Sequence, residues 1–207
     1  MLAFVLASQI LVAAAASLPQ SLQARAVVDT PPSGFAITST TVSGAGCPPG
    51  SFATFPNANL GVQVVYSSLY AQIGPDAPVS ERTNACQVAI TASVPVGYAF
   101  GVARIQSRGY KALDAGSTAT RSVSYQFNPS TSASASGTHT GPPTGADFSA
   151  DDVFGAGVVF SDCAARTATV TITESLSLAG SASPLPIGYI AVDSVSPTPA
   201  LSGRLAP

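Results

Sequence analysis

Residues 167–173 read TATVTIT, so that Ala168, Val170 and Ile172 alternate with Thr167, Thr169, Thr171 and Thr173. Successive side chains of an extended chain point to opposite faces, so this period of two writes one apolar face and one hydroxyl face. The β-branched residues suit a pleated, half-buried surface. A strand buried on one side only belongs to an antiparallel sheet whose other side meets water. Glu174 follows at once and is expected to cap this strand and face solvent.

The alternation recurs along the chain. Val62, Val64 and Tyr66 alternate with Gln63; Cys86, Val88, Ile90 and Ala92 form a second set; Val123, Tyr125 and Phe127 alternate with Ser122, Ser124 and Gln126. Residues 35–42 are β-prone and end at a Gly/Pro turn cluster, residues 154–160 are a short apolar run, and residues 187–192 are expected to form the last strand. The 17 Pro and 18 Gly are spread along the chain, which fits many turns between short strands. The expected fold is all-β, an antiparallel β-sandwich of jelly-roll-like or Greek-key type over residues 35–195. Residues 128–152, NPSTSASASGTHTGPPTGADFSADD, are low in complexity and are expected to be a mobile loop.

The flanks read differently. Residues 2–16 are apolar apart from Ser8 and Gln9, a length that suits a secretory leader and is short for a membrane span. Residues 1–16 are therefore expected to form a signal helix, cleaved before Ser17 at the A-x-A site made by Ala14 and Ala16. Residues 17–34 are expected to be a propeptide or flexible arm, and residues 196–207 a flexible tail.

Only 9% of the 207 residues are charged, with 8 basic and 10 acidic side chains. No basic surplus exists to neutralise phosphates, which argues against nucleic acid as a partner and against a polybasic membrane patch. Three cysteines, Cys47, Cys86 and Cys163, in an exported chain imply a disulfide and one thiol left over, with three single-bridge pairings open. The cysteine spacing and the single His, His139, do not make a zinc site, and no other cofactor is called for.

Residues 98–110 raise the functional question. In a regular strand Tyr98, Phe100, Val102, Arg104, Gln106, Arg108 and Tyr110 share one face, and the other face is nearly bare. Tyrosine rings stack on sugar C–H faces and guanidinium groups bond hydroxyls, so Tyr98, Arg104, Arg108 and Tyr110, with nearby Asp114, are the candidate ligand-binding residues. A bulge at Gly101 or Gly109 would swap the faces. Phe100 and Val102 would then enter the core, and Arg104 would meet Asp114. Leu113-Asp114-Ala115-Gly116 reads as a turn whose Gly supplies positive φ.

Catalytic constellations are weak. His139 lies in the expected mobile loop, where nothing rigid holds a general base. Asp147, Asp151 and Asp152 lack the spacing of a calcium loop, and no G-x-S-x-G elbow is present. No residue is assigned as catalytic or as a metal ligand.

Several fragments together resemble a known family. They are Gly46-Cys47-Pro48, Ile73-Gly74-Pro75, Cys86-Gln87, Pro95-x-Gly97-Tyr98-x-Phe100, Arg108-Gly109-Tyr110-x-x-Leu113-Asp114-Ala115-Gly116, Gly141-Pro142 with Asp151, and Cys163. Their order is similar to that of the secreted fungal family called domain of unknown function 4360, over residues 35–193. The resemblance implies a secreted, disulfide-bonded, β-rich domain and carries no activity. It also implies that Cys47 pairs with Cys86. Closing a loop of that size stabilises by about 4 kcal/mol in the chain-entropy account. Ser107 stands where the family usually has an aromatic residue. The family's closing strand, ending in Trp and Cys, has no counterpart in the tail, so that strand is expected to be missing, leaving Cys163 unpaired and a sheet edge open.

The reading that follows is a secreted, non-catalytic extracellular or cell-wall-associated protein that contacts glycan, with cell-wall polysaccharide as the expected partner. The alternatives are a polysaccharide-active enzyme using Asp114 with Arg104 or Arg108, and a small effector protein. Oligomeric state is left open.

Overall fold

A computed structural model describes residues 25–28, 31–56, 61–128, 131–142, 145–181 and 183–204. The expected signal helix at residues 1–16 lies outside the described residues. The strands are β1 (Arg25–Val28), β2 (Ala36–Ser43), β3 (Phe52–Pro56), β4 (Val62–Tyr66), β5 (Tyr70–Ile73), β6 (Thr83–Ser93), β7 (Tyr98–Leu113), β8 (Ser117–Asn128), β9 (Thr131–Thr140), β10 (Ala146–Val153), β11 (Thr167–Gly180) and β12 (Gly188–Arg204). Two short 3-10 turns, Val79–Arg82 and Gly155–Gly157, complete the described elements.

These strands form an all-β sandwich of two antiparallel sheets. The first runs β10-β7-β12-β4-β3, and the second β2-β6-β11-β8-β9. β12 is the spine of the first sheet. It pairs with β7 along nearly its whole length, while its other side meets β5, β4 and β1 in succession. β11 is the spine of the second sheet, between β6 and β8.

The TATVTIT pattern holds and continues further than expected. Ala168, Val170, Ile172, Leu176 and Leu178 of β11 all point into the core, joined by Val88 and Ile90 of β6 and by Val123 and Tyr125 of β8. From the first sheet come Val64, Phe100, Val102, Ile105, Ile190, Val192 and Val195. Each fully buried aliphatic side chain stabilises by roughly 1.5–3 kcal/mol through removal from water. The outward positions of β11 from Thr167 to Ser177 are all Thr or Ser, as the alternation requires.

Cys47 and Cys86 are bonded to each other, the pairing named above, and Cys163 is free and partly buried. The bond ties the chain just before β3 to the start of β6, 39 residues apart.

Four expectations need correction. The expected mobile loop at residues 128–152 contains two edge strands, β9 and β10, closing opposite sheets. The expected tail at residues 196–207 continues β12 as far as Arg204, with Ala200, Leu201 and Ser202 buried, so the closing strand is present without its Trp and Cys. Pro197 and Pro199 fall where the second side of β12 has no strand partner, between β4 and β1, so their missing N–H groups break no ladder there. Part of the expected arm, Arg25–Val28, pairs with that same stretch of β12. Finally, Glu174 does not face water. It is the next inward position of β11 after Ile172 and is buried.

Candidate functional site

β7 places the residues singled out in the sequence, and two bulges set their directions. Val102 pairs with Pro199 and Arg104 with Thr198, so Ala103 is an extra residue that swaps the faces of the strand. The bulge sits at Ala103, not at Gly101 or Gly109. Before it, Phe100 and Val102 enter the core and Tyr98 packs partly buried against it. After it, Ile105 and Ser107 point inward. Arg104, Gln106, Arg108 and Tyr110 therefore line the outer face, and Tyr98 is separated from them.

The second bulge lies on β12. Val192 pairs with Gly109 and Ser194 with Arg108, which pushes Asp193 out of register and onto the surface. The two backbones approach closely here. A Cβ on Gly109 would sit 1.9 Å from the carbonyl oxygen of Ala191, so only glycine fits.

On its other side β7 pairs with β10, which sets Asp147 opposite Tyr110 and Ser149 opposite Arg108. Arg108, Asp147, Ser149 and Asp193 line an open groove of about 530 Å³ over this corner of the outer face. The Tyr110 ring, 39% exposed, lies beside it. Among the described residues Arg108, Asp147 and Asp193 are in no ion pair. Burial, and then the neighbouring Asp147 carboxylate, hold the Asp193 carboxyl above its ordinary range. On the same face of β12 and β5, Tyr189 stacks on Tyr70 with ring centroids 5.8 Å apart. Burial raises the Tyr189 hydroxyl, with Asp193 and then Tyr70 adding to the effect.

Arg104 and Asp114 take other roles. Arg104 forms an exposed ion pair with Asp151 rather than with Asp114. Asp114 occupies the expected turn after β7, where Gly116 has a φ of 86°. Its backbone carbonyl accepts from Ser117, and its carboxylate accepts from the Ile187 N–H at 3.4 Å. Of the five candidates, Arg108 and Tyr110 come together at the groove, Arg104 lies further along the same face, and Tyr98 and Asp114 lie elsewhere. Asp193 and Asp147 supply the acidic groups there. The signal for Asp147 was alternation, since Asp147, Ser149 and Asp151 alternate with Ala146, Phe148 and Ala150 along β10, whereas Asp193 takes its direction from an irregularity in β12 that local sequence does not show.

A second polar cluster lies between the sheets. Arg121, an inward position of β8, is 1% exposed. Its guanidinium bonds Glu174 of β11, Asp152 of β10 at 2.7 Å and the Ser107 hydroxyl of β7 at 2.6 Å. Four strands from both sheets thus meet at one side chain. Burial pushes the Glu174 carboxyl up to about 7 against the pull of Arg121, with Asp152 adding to the rise. The Tyr66 hydroxyl is buried nearby without a hydrogen-bond partner among the described residues, and burial followed by Glu174 raises it. Ser107, where an aromatic residue was expected, gives the guanidinium room and an acceptor. This enclosed cluster offers no groove for a ligand and holds the two sheets in register.

His139 lies in β9, not in a solvated loop. Its Nδ1 is 2.8 Å from Lys111 Nζ and its ring packs on Phe148. Burial, then Lys111 and Arg121, lower its pKa, and the Lys111 ammonium group donates to the ring nitrogen. No cluster of three or more metal-ligating side chains occurs among the described residues.

Comparison with known proteins places the chain. A family model described as "Domain of unknown function (DUF4360)" matches residues 33–198. An uncharacterized secreted protein of Arthroderma benhamiae is 28% identical over 134 residues, 64% of this chain and 55% of the relative. The match thus spans about half the length of that relative. Among solved structures, TmCBM61 in complex with beta-1,4-galactotriose shares 10% identity and a TM-score of 0.30, covering 80% of this chain and 89% of the other. The enzymatically active domain of bacteriophage CBA120 tailspike protein 4 shares 12% identity and a TM-score of 0.28, covering 78% of this chain and 19% of the other. Both structural likenesses are distant, and no functional argument rests on them. The family match covers most of the sandwich, from before β2 into β12, and the chain belongs to the DUF4360 family.

Proposed function

We propose that this is a secreted, non-catalytic protein that contacts glycan, with cell-wall polysaccharide as its partner, through the groove on the outer face of the β10-β7-β12 sheet. One observation carries the reading: Arg108, Asp147 and Asp193 line an open groove beside the exposed Tyr110 ring, and none of the three is spent in an ion pair among the described residues. Carboxylates accept from sugar hydroxyls, guanidinium donates to them, and a tyrosine ring covers a sugar's apolar face. These groups project from paired strands and not from loops, which keeps them in place. The Cys47–Cys86 disulfide fits an oxidising compartment, and the similarity to a secreted fungal protein supports export.

A second reading, a polysaccharide-active enzyme, draws on Asp193. Burial and the neighbouring Asp147 carboxylate raise the Asp193 carboxyl, the direction in which the general acid of a glycosidase is tuned. Asp147 and Asp193 would then replace the Asp114 pairing expected from the sequence.

Affinity electrophoresis of the full chain against soluble glucan, mannan, galactan and chitin oligomers tests both. Retardation by one polymer that Tyr110→Ala and Arg108→Ala abolish, with no product released, supports the binding protein. Product release that Asp193→Asn eliminates while retardation persists supports the enzyme. No retardation by any of the four overturns both.

A further inference from the structure

The end strands of the two sheets differ in how they are protected. An exposed edge presents unpaired N–H and C=O groups to any strand that arrives, and proteins blunt edges with charge, proline, bulges or short length. In the first sheet, β10 carries Asp147, Asp151 and Asp152, and β3 is five residues long and ends on Pro56. The flanking β1 and β5 are four residues each. In the second sheet, β2 is broken by a bulge at Thr38 between Ile37 and Ser39.

β9 has none of these devices. It runs ten residues, TSASASGTHT, with no Asp, Glu, Lys, Arg or Pro. Its pairing with β8 is regular from Ser132 to Thr140. Its other side pairs with no strand among the described residues. Its outward side chains, Ser132, Ser134, Ser136, Thr138 and Thr140, continue a face that bears no charge: Thr118, Thr120, Ser122, Ser124 and Gln126 on β8, then the Thr and Ser of β11.

We infer that β9 is a self-association edge, which pairs antiparallel with β9 of a second copy across a two-fold axis. The charge pattern selects this occupant. Two antiparallel copies of a strand set each residue against another from the same stretch, and here every residue but His139 is a Ser, Thr, Ala or Gly, so the paired stretch holds no carboxylate, ammonium or guanidinium to oppose its like. A charged peptide would find no complement on this edge. The result is one continuous sheet across two molecules, with both β10 grooves left free on the first sheets.

Sedimentation velocity of the full-length secreted chain over a wide concentration range tests it. The wild type forms a dimer in reversible equilibrium, insensitive to salt because no charge is at the contact. Ser134→Asp/Ser136→Asp puts four carboxylates along the joined edge and weakens dimerisation at least about tenfold. Thr169→Asp/Thr171→Asp adds the same charge away from the edge and leaves the dimer intact. Hydrogen exchange gives an arm that needs no variant: amide protection within β9 rises with protein concentration and that within β10 does not. A monomer at every concentration, a dimer unmoved by the β9 variant, or open-ended fibres would each overturn the inference.

Discussion

Asp151 and Asp152 are neighbours on β10, and each meets an arginine, but on opposite faces of one strand. Asp151 pairs with Arg104 on the outer face, where the two side chains are 48% and 41% exposed. Asp152 pairs with Arg121 between the sheets, where the guanidinium is 1% exposed and shared with Glu174. The chemistry is the same and the surroundings are not. Water screens the outer pair and leaves it worth at most about 1 kcal/mol. The inner cluster cannot fall back on water, so removing one member strands the others. The comparison also separates two roles for charge: the inward charges tie the two sheets together, and the outward pair stays in contact with water.

The largest effect is expected from Arg121→Met. It leaves Glu174 and Asp152 buried without a cation, and a loss of about 3–5 kcal/mol should appear in equilibrium urea unfolding. A loss below about 1 kcal/mol would put the inner cluster on a par with the outer pair.

Next in size is a pH effect. The Glu174 carboxyl is raised from its ordinary 4.5 to about 7 in the folded protein. The folded state therefore holds this proton more tightly than the unfolded chain does. Its stabilising contribution is complete below pH 4.5 and is lost as pH rises through 7. The full span is roughly 3 kcal/mol at 1.36 kcal/mol per pKa unit. Urea midpoints should fall between pH 5 and pH 8, and Glu174→Gln should remove most of that fall. An unchanged slope in the variant would assign the titration to another group.

The smallest stability effect belongs to the outer face. Arg104→Ala should cost less than about 1 kcal/mol, and 0.5 M salt should shrink even that. Tyr110→Ala, at the groove, should leave the urea midpoint near that of the wild type while polymer retardation disappears. A large stability loss there would make Tyr110 a packing residue rather than a contact.

The sequence showed the sandwich wherever hydrophobic alternation was strong, in β4, β6, β8 and β11. It also held the inner cluster, because Glu174 takes the next even-numbered place after Ala168, Val170 and Ile172, and Arg121 precedes Val123 and Tyr125 by the same rule. Polarity hid both: a charge at an inward position looks like the end of a strand. β9 and β10 were hidden for another reason. In β9 the inward positions, such as Ala133, Ala135 and Gly137, need little bulk, so no apolar stripe is written there; in β10 the alternation of Ala146, Phe148 and Ala150 with Asp147, Ser149 and Asp151 is short and breaks off at the inward Asp152. The groove was half legible. Arg108 and Tyr110 come from an alternating stretch, but the bulges at Ala103 and Asp193 that aim the site arise from pairing with β12, a partner that local sequence does not reveal.

The face assignment on β10 bears most of this account, and one paired measurement tests it. Urea unfolding of Asp151→Asn and Asp152→Asn at the same pH compares two adjacent, chemically identical changes. The account predicts a shift below about 1 kcal/mol for Asp151→Asn and a clearly larger change for Asp152→Asn, whose carboxylate helps neutralise a buried guanidinium. Equal shifts, or the larger one at Asp151, would contradict it.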